Sequence, residues 1–476
     1  MKRGIIPIFA GALKKKRTAA GLPGNRHSPL FRCAGPALLP LLFYASLAPE
    51  AGGQSAAKSS AAPFDVVHYD AQVEPDIANK MVTGKVLIRL IVRTDNPSAV
   101  EFDCGDLAID SVREGGREQK FVRQDRRLGV SLLPPPKAGE KREIEIEYHG
   151  APRSGIRFFP EQAQVYTVFS TSRWMVCVDA PDDKATLRLN LILPRDLSAV
   201  ANGRLAARRD LPNDKVVYEW RQETPVPTYT FGFAAGRFRT LTEKRGRVEL
   251  RYLATQYSDE ELRRIFRNTA DMISFYEERA GVRYADATYT QVLAAGGVEQ
   301  EMSSFTALRE SYGREVLGDE RAIWLGAHEL AHQWWGNMVT CRDWTHFWLN
   351  EGMATFMAAA YKEHRFGREE YLREIERSRA IYQKVRGAGK DKSLAFPDWL
   401  HPTPEDRRLV YDKGALVLHL LREELGERAF WAGIRHYTRT YFGKSVVTDD
   451  FKKAMEQASG RDLTDFFSRW VYLTRQ

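Results

Sequence analysis

Cysteine is scarce in this chain, with four in 476 residues and no CxxC pair. That excludes a disulfide-framed scaffold and a cysteine-based zinc site. Acidic residues are missing from positions 1–48, which carry Lys2, Arg3, Lys14, Lys15, Lys16, Arg17, Arg26 and Arg32. The apolar run from Ala34 to Ala48 is broken by Pro36 and Pro40. It falls short of the ~20 residues a bilayer span needs, so an anchor helix is disfavoured. A basic flank, a modest apolar run and the small-residue exit Ser46-Leu47-Ala48 predict a secretory signal peptide over 1–48, cleaved on export. The expected location is periplasmic or extracellular, with membrane association only if that segment stays attached. These basic residues account for nearly all of the formal charge of +9. No compact basic and aromatic recognition motif is present, so no nucleic-acid partner is expected. Cys104, Cys177 and Cys341 would remain after cleavage, enough for at most one disulfide. No internal repeat of fixed period is found, and nothing speaks to oligomeric state.

What is present is an ordinary globular composition, 43% apolar and 28% charged, in a chain long enough for two domains. Residues 49–63 are rich in Gly, Ser and Ala and predict a flexible spacer. From residue 64 to 240, short alternating segments such as Lys85–Arg93, Arg142–Tyr148 and Ala185–Leu193 follow one another without helices. They predict an antiparallel β saddle or sandwich domain. The period then changes: Ser258-x-x-Glu261 forms a capping box, and Leu262, Ile265, Phe266, Thr269, Ile273 and Tyr276 recur at helical spacing up to Gly281. Residues 241–476 are expected to form an α-rich domain, giving an α+β chain.

The sharpest local signal is His328-Glu329-Leu330-Ala331-His332, inside a run from Asp319 to Trp335 of helix-forming composition. Positions four apart share a helix face, so both imidazoles can bind one ion. Glu329 falls beside them, placed to take a proton from water without ligating the metal. A catalytic zinc usually takes a third protein ligand. Glu351 supplies the best candidate, opening the helical segment Asn350–Tyr361. One zinc ion per chain is expected. A bare five-residue match also occurs by chance on ordinary helix faces, so the flanking residues matter.

Those flanks carry a resemblance. The blocks from His328 to Asn337 and from Trp348 to Gly352, with Gly296-Gly297-Val298-Glu299-Gln300 upstream and Tyr411-Asp412-Lys413-Gly414 downstream, resemble the alanyl (membrane) aminopeptidases and leukotriene hydrolases. These are gluzincin zinc peptidases. Cys177–Pro181 and Asp462–Trp470 extend the likeness over most of the chain past the leader. It implies a β saddle over a thermolysin-like zinc metallopeptidase domain and hydrolysis of N-terminal residues from peptides. It further implies that Glu299 binds the substrate's α-ammonium, that Tyr411 steadies the oxyanion, and that Gly296 and Gly297 let substrate backbone approach. A glycine pair is also an ordinary turn, and neighbouring Glu301 competes with Glu299 for the ammonium.

The pattern departs from the family at several points. Val298 and Gln300 stand where Met and Asn are usual. Val165–Thr171 offers no Gln or Glu as a second ammonium anchor, Gln164 being the only nearby amide. The chain ends at Gln476 without a further helical domain, from which a more open cleft, or closure by a partner, is expected. Trp334, Trp335, Trp344 and Trp348 are expected to wall the site, Cys341 to be structural, and His346 to pack behind the ligands. The rival readings are an endopeptidase or a non-peptide hydrolase on the same zinc and, from another class, a non-catalytic peptide-binding protein.

Overall fold

A computed structural model describes residues 62–297, 299–396, 399 and 402–473. The expected leader, the spacer up to residue 61 and Val298 lie outside the described residues. No described helix is long and apolar enough to cross a membrane.

The first part is β-rich. Its largest sheet is built on the long strands Phe64–Asp76, Met81–Val92, Lys141–Gly150, Lys184–Pro194 and Lys215–Pro227. In Met81–Val92 and Lys184–Pro194, strict alternation of buried and more exposed residues places one face on a core and one toward water. All but one of the pairings in this sheet are antiparallel. The exception is Phe64–Asp76 with Lys184–Pro194, which run parallel, Tyr69 opposite Leu187. More than a hundred residues separate those two strands, ample for the long crossover that a parallel pair requires. The expectation of a purely antiparallel domain is corrected at this one seam.

A second, four-stranded sheet joins Arg239–Arg245, Val248–Ala254, Thr288–Ala294 and Phe305–Arg309. Its two inner strands, Val248–Ala254 and Thr288–Ala294, carry buried residues toward both cores. Tyr289 and Leu293 enter the helical core, while Val292 and Ala294 enter the core of the β-rich part. The sheet is the floor on which the two halves meet.

The Ser258 capping box forms as expected, with the Ser258 amide donating to Glu261 Oε2 at 2.8 Å. The predicted single helix is in fact two, Asp259–Ile265 and Thr269–Ala280, closed by Gly281 at φ +66°. The helix carrying His328 is also shorter than its composition suggests, running from Trp324 to Ala331. His332 caps it with helical backbone angles, and Gly336 at φ +136° turns the chain away. The helix carrying Glu351 runs from Trp348 to Phe366 and is buried along its first four turns. Cys104, Cys177 and Cys341 are buried.

Candidate active site

The sequence block around His328 puts its two histidines one turn apart, and the fold brings Glu351 against them. His328 Nε2 and His332 Nε2 are 3.0 Å apart, and Glu351 Oε2 lies 3.3 and 3.4 Å from them. Ligands ~2.0–2.1 Å from the centre of a tetrahedron are separated by ~3.3 Å, so the three atoms are already spaced as a zinc set. The His332 Nδ1 proton has the Trp335 carbonyl at 3.1 Å, which leaves a lone pair on Nε2 aimed at the shared point. Thr355 Oγ1 lies 3.4 Å from His328 Nδ1 in the corresponding place. Glu329 and Glu301 add two more buried carboxylates, 6% and 4% exposed, each with one oxygen lacking a hydrogen-bond partner. A divalent cation fits this donor set and offsets its charge.

The electrostatics follow from burial. Burial raises the Glu329 carboxyl well above the usual carboxylate range, and Glu301 raises it further. Burial opposes charge on Glu351, yet His332 and His328 hold it below its ordinary value. Burial also pushes the Tyr411 phenol well up, helped by Glu351 and Glu301, so it stays protonated over the working range.

Two glycines explain how Tyr411 reaches the ligands. Tyr411 sits in a wide π-type turn, Leu409–Lys413, that leads into the helix Gly414–Leu425. There the Tyr411 helix crosses the Glu351 helix backbone to backbone. A Cβ on Gly352 would stand 2.9 Å from Gly414 Cα, and one on Gly414 would stand 2.8 Å from Gly352 Cα. The crossing lays Tyr411 over His328, ring centroids 5.8 Å apart and 16° from parallel. Trp324 stacks on the same imidazole at 4.8 Å.

The substrate-side residues are placed differently. Gly296 has φ +87° and packs on the β-rich part, where an added Cβ would meet Phe159 Cζ at 2.8 Å. A Cβ on Gly297 would meet nothing within 4 Å, so this residue borders open space. Glu299 is within electrostatic reach of Glu329 but is ion-paired to Arg309 at 2.6 Å. Gln300 pairs with Ala307 in an isolated antiparallel bridge, which sets 299–301 alongside the strand Phe305–Arg309. Gln164 is committed elsewhere: its Oε1 accepts from the Ala295 amide at 2.9 Å, and its Nε2 donates to Thr255 Oγ1 at 2.9 Å.

Several contributors were not singled out from sequence. Gln333 Oε1 accepts from the Ser304 amide and its Nε2 donates to the Met302 carbonyl, while Asn337 Nδ2 donates to the Glu301 carbonyl. These contacts lash the segment 301–304 to the turn that follows the His helix. Gln333 lies one turn after Glu329 on the same face, a signal that was available. The tryptophan expectation is corrected: Trp334, Trp335 and Trp348 are fully buried in the helical core, their indole N–H groups bonded to Val282, Thr438 and Thr448. Trp344 is half-buried against Tyr229. Trp324, with no motif to mark it, is the tryptophan that stacks on a ligand. Cys341 is fully buried, and His346 Nδ1 contacts Thr448 Oγ1 at 2.9 Å.

A β-rich part joined to a helical part with this His-His-Glu set has the architecture of the gluzincin metallopeptidases. The model of the peptidase M1 N-terminal domain matches residues 66–230, and that of the peptidase family M1 domain matches residues 265–470. The chain belongs to peptidase family M1. It is 27% identical over 432 residues to "Probable aminopeptidase 2" of Sulfurisphaera tokodaii, covering 85% of this chain and 53% of that one. Similarity to "Aminopeptidase 2, mitochondrial" of Saccharomyces cerevisiae is 23%, over 86% of this chain and 46% of the other. The chain thus spans about half the length of the curated relatives it matches. The fold is shared with an M1 zinc metallopeptidase from Deinococcus radiodurans solved with a Tyr-Ser-Ala substrate, at a TM-score of 0.73 and 23% identity, over 87% of this chain and 95% of that one. It is shared too with yeast LTA4 hydrolase, at 0.76 and 21%, over 88% and 69%.

Proposed function

We propose that this chain is a zinc-dependent aminopeptidase that hydrolyses N-terminal residues from peptides. The observation that carries the reading is the spacing of His328 Nε2, His332 Nε2 and Glu351 Oε2, 3.0 to 3.4 Å apart, with the Glu329 carboxylate buried beside them. Zinc, when bound by these three residues, supplies a Lewis acid that polarises a carbonyl and acidifies water. Glu329 takes the proton of the attacking water and delivers it to the leaving amine, a task its raised proton affinity favours. Tyr411, kept protonated, donates a hydrogen bond where the oxyanion develops. The segment 299–301 aligns the peptide, and Glu299 receives its α-ammonium. The names of the relatives, aminopeptidases, support the same class.

The test is hydrolysis of a panel of aminoacyl-naphthylamides, with chelator, zinc add-back and a Glu329→Gln control. The expected outcome is release that stops on chelation, returns with zinc and is absent in the variant. No turnover by protein carrying one zinc per chain would overturn the reading. One observation favours an endopeptidase instead: Glu299 is engaged by Arg309 and Gln164 by Ala295 and Thr255, which weakens recognition of a free amine.

A further inference from the structure

Gln164 of the β-rich part offers no open amide to a substrate amine, because both ends of its amide are engaged. Glu299 must share its charge with Arg309, whose guanidinium also holds Glu315 at 2.8 Å. An ammonium arriving at Glu299 therefore competes with Arg309 for the carboxylate.

Two residues further along the chain the situation is reversed. Glu301, like Glu299, lies within electrostatic reach of Glu329. It is 4% exposed, and no Lys or Arg pairs with it among the described residues. Its Oε2 accepts from Gln300 Nε2 at 2.7 Å, and its Oε1 is buried with no hydrogen-bond partner. The carboxylate is in electrostatic contact with His332, Glu351, Glu329 and Tyr411, so it faces the reacting centre. Its backbone is fixed from both sides, by Asn337 to the Glu301 carbonyl and by the Gln300–Ala307 bridge. Gln300 Oε1 in turn accepts from the Phe169 amide at 2.9 Å, tying the pair to the β-rich part. A buried acceptor left open in such a position lacks a donor, and a primary ammonium has three to give.

We propose that Glu301 is a second carboxylate gripping the substrate's α-ammonium, in place of an anchor from the β-rich part. The inference rests on the aminopeptidase reading. With Glu299 and Glu301 both within reach of Glu329, the ammonium is held between two residues of one short segment. Recognition of the free N-terminus then comes from the helical half's own sheet.

The test compares inhibition by leucine hydroxamate and by its desamino counterpart, isocaproyl hydroxamate, on wild type, Glu301→Gln and Glu299→Gln, each checked for zinc content and thermal unfolding. Wild type should prefer the amine-bearing inhibitor, and Glu301→Gln should reduce that preference about tenfold or more, the scale of a lost charged hydrogen bond. Binding of the desamino compound should stay within about twofold, since a merely structural change would move both inhibitors together. Glu301→Asp keeps the charge and should retain part of the preference, which tests the proposal even if the Gln variant folds poorly. A Glu301→Gln ratio equal to wild type, with the preference lost only in Glu299→Gln, overturns it. Equal binding of both compounds by wild type itself would instead remove the aminopeptidase reading, an outcome visible before any substitution.

Discussion

On the metal side of the site each ligand is braced from within the helical half, whereas the segment opposite is tied to both halves. His332 leans on the Trp335 carbonyl, His328 lies between Trp324 and Tyr411, and Glu351 rides a helix locked against the Tyr411 turn at Gly352 and Gly414. Across the cleft, Ala295 is held by Gln164, Gln300 by the Phe169 amide, and Ser303 and Ser304 by Asn202 and Gly203. Bond breaking thus belongs to one half of the molecule, and choosing which bond to break draws on both.

That division can be broken by substitution. The largest effect belongs to the metal side: Glu329→Gln should lower kcat by about 10²–10⁴ with zinc still bound, as expected for a lost general base. Steady-state kinetics beside metal analysis checks it. Tyr411→Phe should follow at about 10²–10³ in kcat with little change in KM, because its donor acts only as charge develops. Gly352→Ala tests the brace. Its Cβ would meet Gly414 Cα at 2.9 Å and the Val410 carbonyl at 3.0 Å, both backbone atoms. Thermal unfolding should show a loss of about 1–3 kcal/mol, the usual cost of overpacking.

Substitutions on the opposite side should look different. Gln164→Ala orphans the Ala295 amide and loosens the turn before Gly296, so KM for aminoacyl substrates should rise about threefold to tenfold while kcat holds. An equal loss in kcat would erase the proposed division. The smallest effect concerns pH. Asp412, behind Tyr411, is buried, and burial raises its carboxyl to about 7. An acid raised above its unfolded value favours the folded state fully below about pH 4, and that advantage is lost as pH rises through about 7. Asp412→Asn should therefore flatten the fall in unfolding free energy between pH 5 and pH 8, read by denaturant titration at the two pH values.

The same contrast governs what could be read without the fold. A metal site on one helix writes its geometry as spacing, so His328, Glu329 and His332 were legible, and Glu351 followed from the need for a third ligand. The capping box at Ser258 was legible for the same local reason. Contacts between distant segments leave no such trace. Nothing in the spacing announced that Arg309 would pair with Glu299, that Gln164 would hold Ala295, or that Trp324 would stack on His328 in place of the motif tryptophans. The parallel seam between Phe64–Asp76 and Lys184–Pro194 was hidden likewise, since alternation fixes which face is buried and not which neighbour a strand takes.

The most direct test of the account is digestion of one peptide in free and N-acetylated forms by the zinc-loaded protein, with products followed by mass. The account predicts stepwise loss of residues from the free peptide, none from the acetylated one, and silence from both after chelation. Internal cleavage of both peptides at similar rates would contradict it.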